Sequence, residues 1–210
     1  DTGAGGTPLK SHKDYYENGN TPWLRSGEVC QKEITKSELF ITEKGLKNSS
    51  ARIFPKNTVL VAMYGATAGQ TGILRFESST NQAVCGILPN DDFLPEYIYY
   101  FLSARKSDLV KQAVGGAQPN ISQIKIKDTL VPVLSLVEQK SIVKKLTVLS
   151  IETKKLESIY QKKLENFDPQ ISAHNNLRNH GYLKIYDLRS GKIRIYSKRD
   201  KRIQYERNRI

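Results

Sequence analysis

Residues 142–167 read IVKKLTVLSIETKKLESIYQKKLENF, and their spacing decides the architecture of the chain. Ile142, Leu146, Leu149, Thr153, Leu156, Tyr160 and Phe167 fall on alternating steps of three and four residues, with Lys163 taking a seam position beside Leu164. A narrow apolar seam held over roughly four heptads, with Lys and Glu filling much of the rest, is a coiled-coil pattern. The predicted helix begins near Ser135 and spans roughly 50 Å. Asp168-Pro169 stops it, because proline disfavours the α conformation in the residue before it. Such a helix lies along its own domain's core or reaches out to a partner. The length and the narrow seam favour the second.

Upstream of the helix the pattern is mixed. Residues 1–30 are turn-rich, with Gly3, Gly5, Gly6 and Pro8 ahead of Tyr15, Tyr16 and the Pro22-Trp23-Leu24 stretch. Between 31 and 50, the spacing of Ile34, Leu39, Phe40, Ile41 and Leu46 predicts a short helix or two ending near Gly45. Val59 to Tyr64, Gly72 to Phe76 and Ala83 to Leu88 each read as a short strand. Pro95 opens a helix carrying Tyr97, Ile98, Phe101, Leu102, Leu109 and Val110 at helical spacing. After the loop Gly115 to Asn120, Ile124, Ile126, Leu130 and Val131 read as a short extended segment. Residues 1–134 are thus expected to form one α+β domain, and 135–168 the long helix.

Downstream, residues 169–210 change character. Leu183 to Tyr186 and Ile193 to Tyr196 flank Arg189-Ser190-Gly191-Lys192, which reads as a hairpin, with disorder as the other reading of this basic tail. The net charge of the chain is +12. Residues 169–210 hold 11 Lys/Arg against 3 Asp/Glu, whereas residues 1–168 hold 22 against 18. A polyanionic partner is suggested, but most of the excess belongs to the tail. No stretch approaches the roughly 18–20 apolar residues of a membrane span, and no signal segment opens the sequence. A natural start lost or lying upstream of Asp1 is the expectation. Cys30 and Cys85 lack metal-ligand spacing; reduced thiols in a cytoplasmic protein are the first reading, a structural disulfide the second.

Catalytic and cofactor motifs are missing where they would be sought. Gly65 to Gly72 follows a strand as a phosphate loop does. A Walker loop, however, needs a Lys where Gln70 stands, and the loop is one residue short between its glycines. A dinucleotide fingerprint would open a helix, yet the next residues read as a strand. A tight turn between strands is the local reading, with backbone N–H groups aimed at a DNA phosphate as an extension of it. His12, His174 and His180 share no neighbourhood with a nucleophile, and no metal-ligand set, carboxylate pair or methyl-transfer motif stands out. Neither a catalytic residue, a metal nor a cofactor is assigned.

What remains is a polar and aromatic set on loops. Lys10, His12, Lys13 and Tyr15 lie in the first loop; Lys47, Asn48, Ser49 and Arg52 in the second; Tyr64, Gln118 and Asn120 follow. Arg, Lys, Asn and Gln read base edges, while Lys, Ser and backbone amides hold phosphates. The same residue types populate any solvated loop, so chemistry alone leaves both readings open.

Several segments, in order, carry a resemblance. They are Gly5-Gly6-Thr7-Pro8; Pro22-Trp23-Leu24 with Ser26-Gly27; Ile41 to Leu46 running into Asn48-Ser49-Ser50-Ala51; Met63 to Gly69; Thr80-Asn81-Gln82-Ala83; Gly115 to Ser122; and Pro132 with Glu138-Gln139. Together they resemble the specificity subunits of type I restriction–modification systems over residues 1 to about 167. The resemblance implies a target recognition domain of mixed α/β character and a coiled-coil spacer helix, packed through Ile142, Leu146, Leu149, Leu156 and Tyr160. It implies a non-catalytic reader of one half of a split double-stranded DNA site, with no membrane role. It also implies three kinds of partner: methyltransferase subunits, a restriction motor subunit, and a second recognition unit or a second copy of this chain. Spacer length then sets the gap between half-sites.

Two features depart from that family. Only one recognition unit is present, so a half-subunit, a fragment or a unit that pairs with another copy is expected. The residues after Asp168 do not continue the spacer, and a frameshift or recombination junction is the expectation for them. The alternatives to a DNA reader are a coiled-coil adaptor and a nucleotide-binding protein using Gly65 to Gly72.

Overall fold

The computed structural model of the chain describes residues 1–111, 120–167, 182–187 and 192–197. It divides into two compact units, Asp1–Thr147 and Val148–Ile210. In the first, five strands form one sheet in the order β1-β9-β6-β7-β3: β1 (Thr2–Ala4), β9 (Val84–Ile87), β6 (Val59–Ala62), β7 (Thr71–Leu74) and β3 (Glu33–Ile34). All neighbours are antiparallel except β3 and β7. A four-stranded sheet runs β4-β2-β8-β5, from β4 (Phe40–Ile41), β2 (Thr21–Leu24), β8 (Ser78–Thr80) and β5 (Ile53–Phe54). Here β2 and β8 are the parallel pair.

Strand β6 reads as an unbroken apolar run because both of its faces are covered. Val59 and Val61 join one core cluster with Ile73, Cys85, Tyr97, Leu102 and Ile121. Leu60 and Ala62 join another with Leu24, Val29, Ile34, Phe54 and Leu74. The helices cover the first of these faces. They are α2 (Pro95–Ala104), started by proline at its first turn, α3 (Lys106–Lys111) and α4 (Gln123–Lys127). The long α5 (Leu136–Phe167) is entered by a capping box: Glu138 N donates to Ser135 Oγ at 3.3 Å, and Ser135 N to Glu138 Oε2 at 2.9 Å.

Two expectations fail locally. Residues 31–50 form β3 and β4, and a helix only at α1 (Glu43–Lys47). Ile34 and Ile41 point inward while Phe40 is exposed, so the apolar spacing was strand alternation interrupted by turns. Thr42 Oγ1 caps α1 by accepting from Gly45 N at 3.0 Å. Gly45 sits inside that helix rather than ending it, because an added Cβ would stand 2.6 Å from the Tyr15 carbonyl oxygen. Downstream, the stretch read as extended around Ile124 and Ile126 is α4, capped by Ser122, with Ile126 buried and Ile124 exposed.

In the second unit, α5 continues from Val148 with Val148, Leu149, Ile151, Leu156, Ile159, Tyr160 and Leu164 all exposed. Strands β10 (Tyr182–Asp187) and β11 (Lys192–Ser197) pair antiparallel, Tyr182 opposite Ser197 and Asp187 opposite Lys192. No helix among the described residues is long and apolar enough to cross a membrane.

Candidate nucleic-acid interface

Segments remote in sequence meet where β1 and β6 end and β9 begins. Gly5 N donates to the Val84 carbonyl at 3.1 Å and Gly6 N to the Thr80 carbonyl at 2.9 Å. Trp23 Nε1 donates to the Gly6 carbonyl at 2.9 Å. Gly6 must be glycine here: a Cβ would lie 2.3 Å from Ala51 N, against the Ser50–Ala51 backbone. Met63 N donates to the Ala83 carbonyl at 2.8 Å, and Ile121 N to the Met63 carbonyl at 2.9 Å, which sets Tyr64 beside Asn120 in an isolated antiparallel bridge. Thr7 Oγ1 donates to Gln82 Oε1. The result is one rim made of Thr7, Ser50, Tyr64, Gln82 and Asn120.

This rim presents unused polar groups. Gln82 and Asn120 are exposed. With its Oε1 taken by Thr7, Gln82 keeps its amide N–H donors without a partner among the described residues. The Asn120 side-chain amide has no partner there either. Tyr64 is 39% exposed. Gln82 and Thr7 were absent from the expected contact set, although both lie in the quoted segments; pairing of β1 with β9 brings them together, and no local pattern signals that pairing.

The first loop and α1 form a neighbouring block. Tyr15 is buried, its carbonyl accepts from Thr42 N at 2.9 Å, and Lys44 Nζ stands 6.0 Å from its ring centre. It is a packing residue, not an exposed contact. His12 stacks on it with ring centroids 4.7 Å apart and faces Asp14 at 3.7 Å. The Lys44 ammonium, bonded to Asp14, holds that carboxyl below the usual carboxylate range. Lys10 and Lys13 are exposed and make no ion pair among the described residues. Lys10 borders a cavity of about 540 Å³ walled by Tyr16, Trp23 and Phe40.

The second loop is more occupied than its residue types suggest. Lys47 pairs with Glu43 at 2.6 Å one turn earlier. Asn48 Nδ2 donates to the Lys44 carbonyl at 2.8 Å, closing α1, and Ser49 Oγ accepts from Ala51 N at 3.2 Å. The exposed Arg52 lies along β1, where a Cβ on Gly3 would come within 2.3 Å of its Nη1, and its guanidinium stands 5.2 Å from the Phe54 ring centre. Gln118 lies outside the described residues.

The glycine loop is a tight turn between strands that bonds several of its own amides. Gly65 and Gly69 take φ of +67° and +76°, which only glycine adopts freely. The amides of Ala68, Gly69 and Gln70 donate to the carbonyls of Gly65, Ala62 and Thr67 within the turn. They are therefore not aimed at a phosphate, and the turn leads into β7 rather than a helix. Cys30 and Cys85 are both free, and burial pushes the Cys85 thiol up to about 12. Among the described residues no group of three or more His, Cys, Asp or Glu is placed to hold a metal.

Along the seam, Ile142 packs against the core of the first unit together with Val143. Leu146 is half-buried, and Leu149, Leu156 and Tyr160 are more than half exposed. The seam read from spacing thus packs on the core of the first unit at its start and is exposed further along.

Comparison with known proteins gives this geometry a family. The family model described as the type I restriction modification DNA specificity domain matches residues 2–166. The chain is 28% identical over 144 residues to the EcoR124I/EcoR124II specificity subunit of Escherichia coli, covering 66% of this chain and 36% of that protein. It is 35% identical over 161 residues to the MjaIX specificity subunit of Methanocaldococcus jannaschii, covering 72% and 36%. The chain therefore spans about a third of the length of these relatives. In fold it is similar to the HsdS subunit of Thermoanaerobacter tengcongensis, with a TM-score of 0.60 at 16% identity over 76% of this chain and 37% of that one. This chain belongs to the type I restriction modification DNA specificity family.

Proposed function

We propose that this chain reads one half of a split double-stranded DNA site and carries no catalytic group of its own. The observation that supports this best is the rim where Thr7, Ser50, Tyr64, Gln82 and Asn120 converge, with amide donors that have no partner among the described residues and suit base edges. The exposed Lys10 and Lys13 of the first loop suit phosphate contacts. Lys47, Asn48, Ser49 and Arg52 shape the adjoining loop, and His12 joins it through Tyr15. On this reading residues 1–134 are the target recognition domain and 135–168 the spacer. The exposed stretch of α5 then packs, through Leu149, Leu156 and Tyr160, against the spacer of a second recognition unit or a second copy. Methyltransferase subunits and a restriction motor subunit, acting in the cytoplasm, supply the chemistry and its cofactors.

Co-expression with a type I methyltransferase subunit, followed by mapping of the methylated sequence, tests this. The expected product is methylation at a split sequence with a fixed gap, palindromic if two copies of this chain assemble. Absence of any sequence preference in both methylation and DNA binding overturns the reading.

A further inference from the structure

Gly3 and Gly86 stand directly opposite each other in the β1–β9 pair. Side by side and without Cβ atoms, they leave a bare strip on one face of the sheet. Arg52 and Phe54, two residues apart at β5, fill it. The Phe54 ring covers Gly86, where an added Cβ would stand 2.7 Å from Cδ1. The Arg52 guanidinium lies over Gly3, where an added Cβ would stand 2.7 Å from Cζ and 3.3 Å from Nε. It also stands 5.2 Å from the Phe54 ring centre, within the range of a cation–π contact. The strip and the ring together seat the guanidinium in one orientation.

The other arginines of the first unit each meet a carboxylate. Arg25 pairs with Glu38 at 3.0 Å, Arg75 with Glu33 and Glu96, and Arg105 with Asp108 at 4.0 Å. Arg52 is exposed and has neither an ion pair nor a hydrogen bond among the described residues. Packing holds it, and the N–H donors of its planar fork stay unused. Ser50, two residues earlier, lies against Gly6 in the rim, so the fork sits on the rim's flank. A phosphate is met by any cation that reaches it, from many directions. A base edge is met only at the right angle, and the O6 and N7 acceptors of guanine match the arginine fork. A fork held in one orientation with its donors unused suits the second.

We propose that Arg52 is a specificity-determining residue that reads a guanine of the half-site through O6 and N7, and that Gly3 is the positioning residue that seats it. This contact rests on the half-site reading above, and it gives that half-site a G·C pair beside the bases met by Gln82 and Asn120. Gly3 is not in the left-handed region of φ, and the three atoms nearest an added Cβ all belong to the Arg52 side chain. Alanine at Gly3 therefore displaces the guanidinium without straining the backbone and without removing the charge.

The test uses the full chain with a methyltransferase subunit, whose methylation map first defines the half-site. Fluorescence anisotropy then follows binding to duplexes in which each guanine of the half-site is replaced in turn by 7-deazaguanine, which lacks N7. The parent is expected to lose about tenfold or more in affinity at one guanine. Arg52→Met keeps an apolar stem on the sheet and removes the fork; Gly3→Ala keeps the fork and moves it. Both are expected to bind the unmodified duplex about tenfold more weakly and to respond to that replacement by less than about twofold. Thermal midpoints stay within a few degrees, and the slope of log affinity against log salt is unchanged. An Arg52→Met chain that still loses about tenfold to the replacement overturns the contact, and a Gly3→Ala chain that does so overturns the seat. A uniform loss on all sequences with a slope lowered by about 1 places Arg52 on a phosphate and overturns the guanine contact. A mapped half-site without a G·C pair overturns it too. A parent without any sequence preference overturns the half-site reading itself, whereas a preference that survives in Arg52→Met overturns only the Arg52 contact.

Discussion

Trp23 and Gly6 are joined by an indole N–H donating to a backbone carbonyl at 2.9 Å, with Trp23 only 5% exposed. The bond ties β2 of the four-stranded sheet to the segment leaving β1 of the other. Tyr16 meets Trp23 edge to face at 6.1 Å between centroids, and its hydroxyl donates to the Pro8 carbonyl, so the Gly6–Pro8 stretch is held from two sides. Trp23→Phe keeps an aromatic ring and leaves the Gly6 carbonyl unpaired. A loss of about 1–3 kcal/mol in unfolding free energy is expected by chemical denaturation. The same variant is expected to weaken DNA binding, because Thr7 is presented by the freed segment.

Arg75 carries a second cross-link, between the β3–β7 edge and α2. Its guanidinium bonds Glu33 and Glu96, and Nη1 donates to Asn57 Oδ1 at 2.7 Å. Burial pushes the Glu96 carboxyl up, but the Arg75 hydrogen bond and charge outweigh it, and the group titrates below its ordinary 4.5. A carboxyl depressed in the folded state adds stability above its unfolded value, and that stability is lost as pH falls through the folded value. Arg75→Met removes the opposing charge and leaves burial acting on Glu96. Thermal midpoints followed from pH 6 to pH 3 are expected to fall for the parent and to run flatter for Arg75→Met, from a lower start at neutral pH.

How much of this was readable in the chain depends on how local each signal is. The seam from Ile142 to Tyr160 and the strands around β6 announce themselves because their periodicities are intrinsic to one element. The helix expected over 31–50 failed because Ile34, Phe40 and Ile41 alternate within very short strands, where two or three residues carry no period. Tyr15 looked like a contact residue by type, yet α1 covers it through Gly45. Gln82 and Thr7 could not be paired without knowing that β1 joins β9. The residues of the candidate rim are thus local to short segments, while their convergence comes from long-range pairing.

The two cysteines are expected to differ sharply as nucleophiles. The thiolate is the reactive form, and the buried Cys85 thiol is pushed up to about 12. A disulfide-exchange reagent at pH 8 is expected to titrate one thiol per folded chain, at Cys30, and two after denaturation. Equal rates for both in the folded chain would show that the β1–β9 pairing over Cys85 opens readily.

Polar substitution along α5 is expected to separate folding from assembly. Leu149 and Leu156 are exposed at 56% and 55%, so neither contributes to the core of the first unit. Leu149→Asp with Leu156→Asp is expected to leave the thermal midpoint of that unit within a few degrees. By light scattering the same pair is expected to shift any dimer toward monomer, and co-purification with a methyltransferase subunit is expected to be lost. Ile142→Asp, by contrast, places a charge against the domain core and is expected to destabilise the fold by several kcal/mol.

Base reading and phosphate holding are expected to come apart by residue. Lys10 and Lys13 are exposed cations without ion pairs among the described residues, and each phosphate contact releases counterions. Lys10→Ala and Lys13→Ala are each expected to lower affinity for all sequences and to reduce the slope of log affinity against log salt by about 1. Gln82→Ala and Asn120→Ala remove amide donors instead. They are expected to leave the salt slope unchanged and to relax preference at one or two base pairs, by about 1–3 kcal/mol of discrimination each. Lys47→Ala breaks a pair with Glu43 on an exposed helix face and is expected to move both quantities little. Fluorescence anisotropy against matched and single-substituted duplexes, repeated at several salt concentrations, measures both. A uniform loss from Gln82→Ala with a changed slope would place that side chain on the phosphate backbone and move base reading to the Asn120 side of the rim.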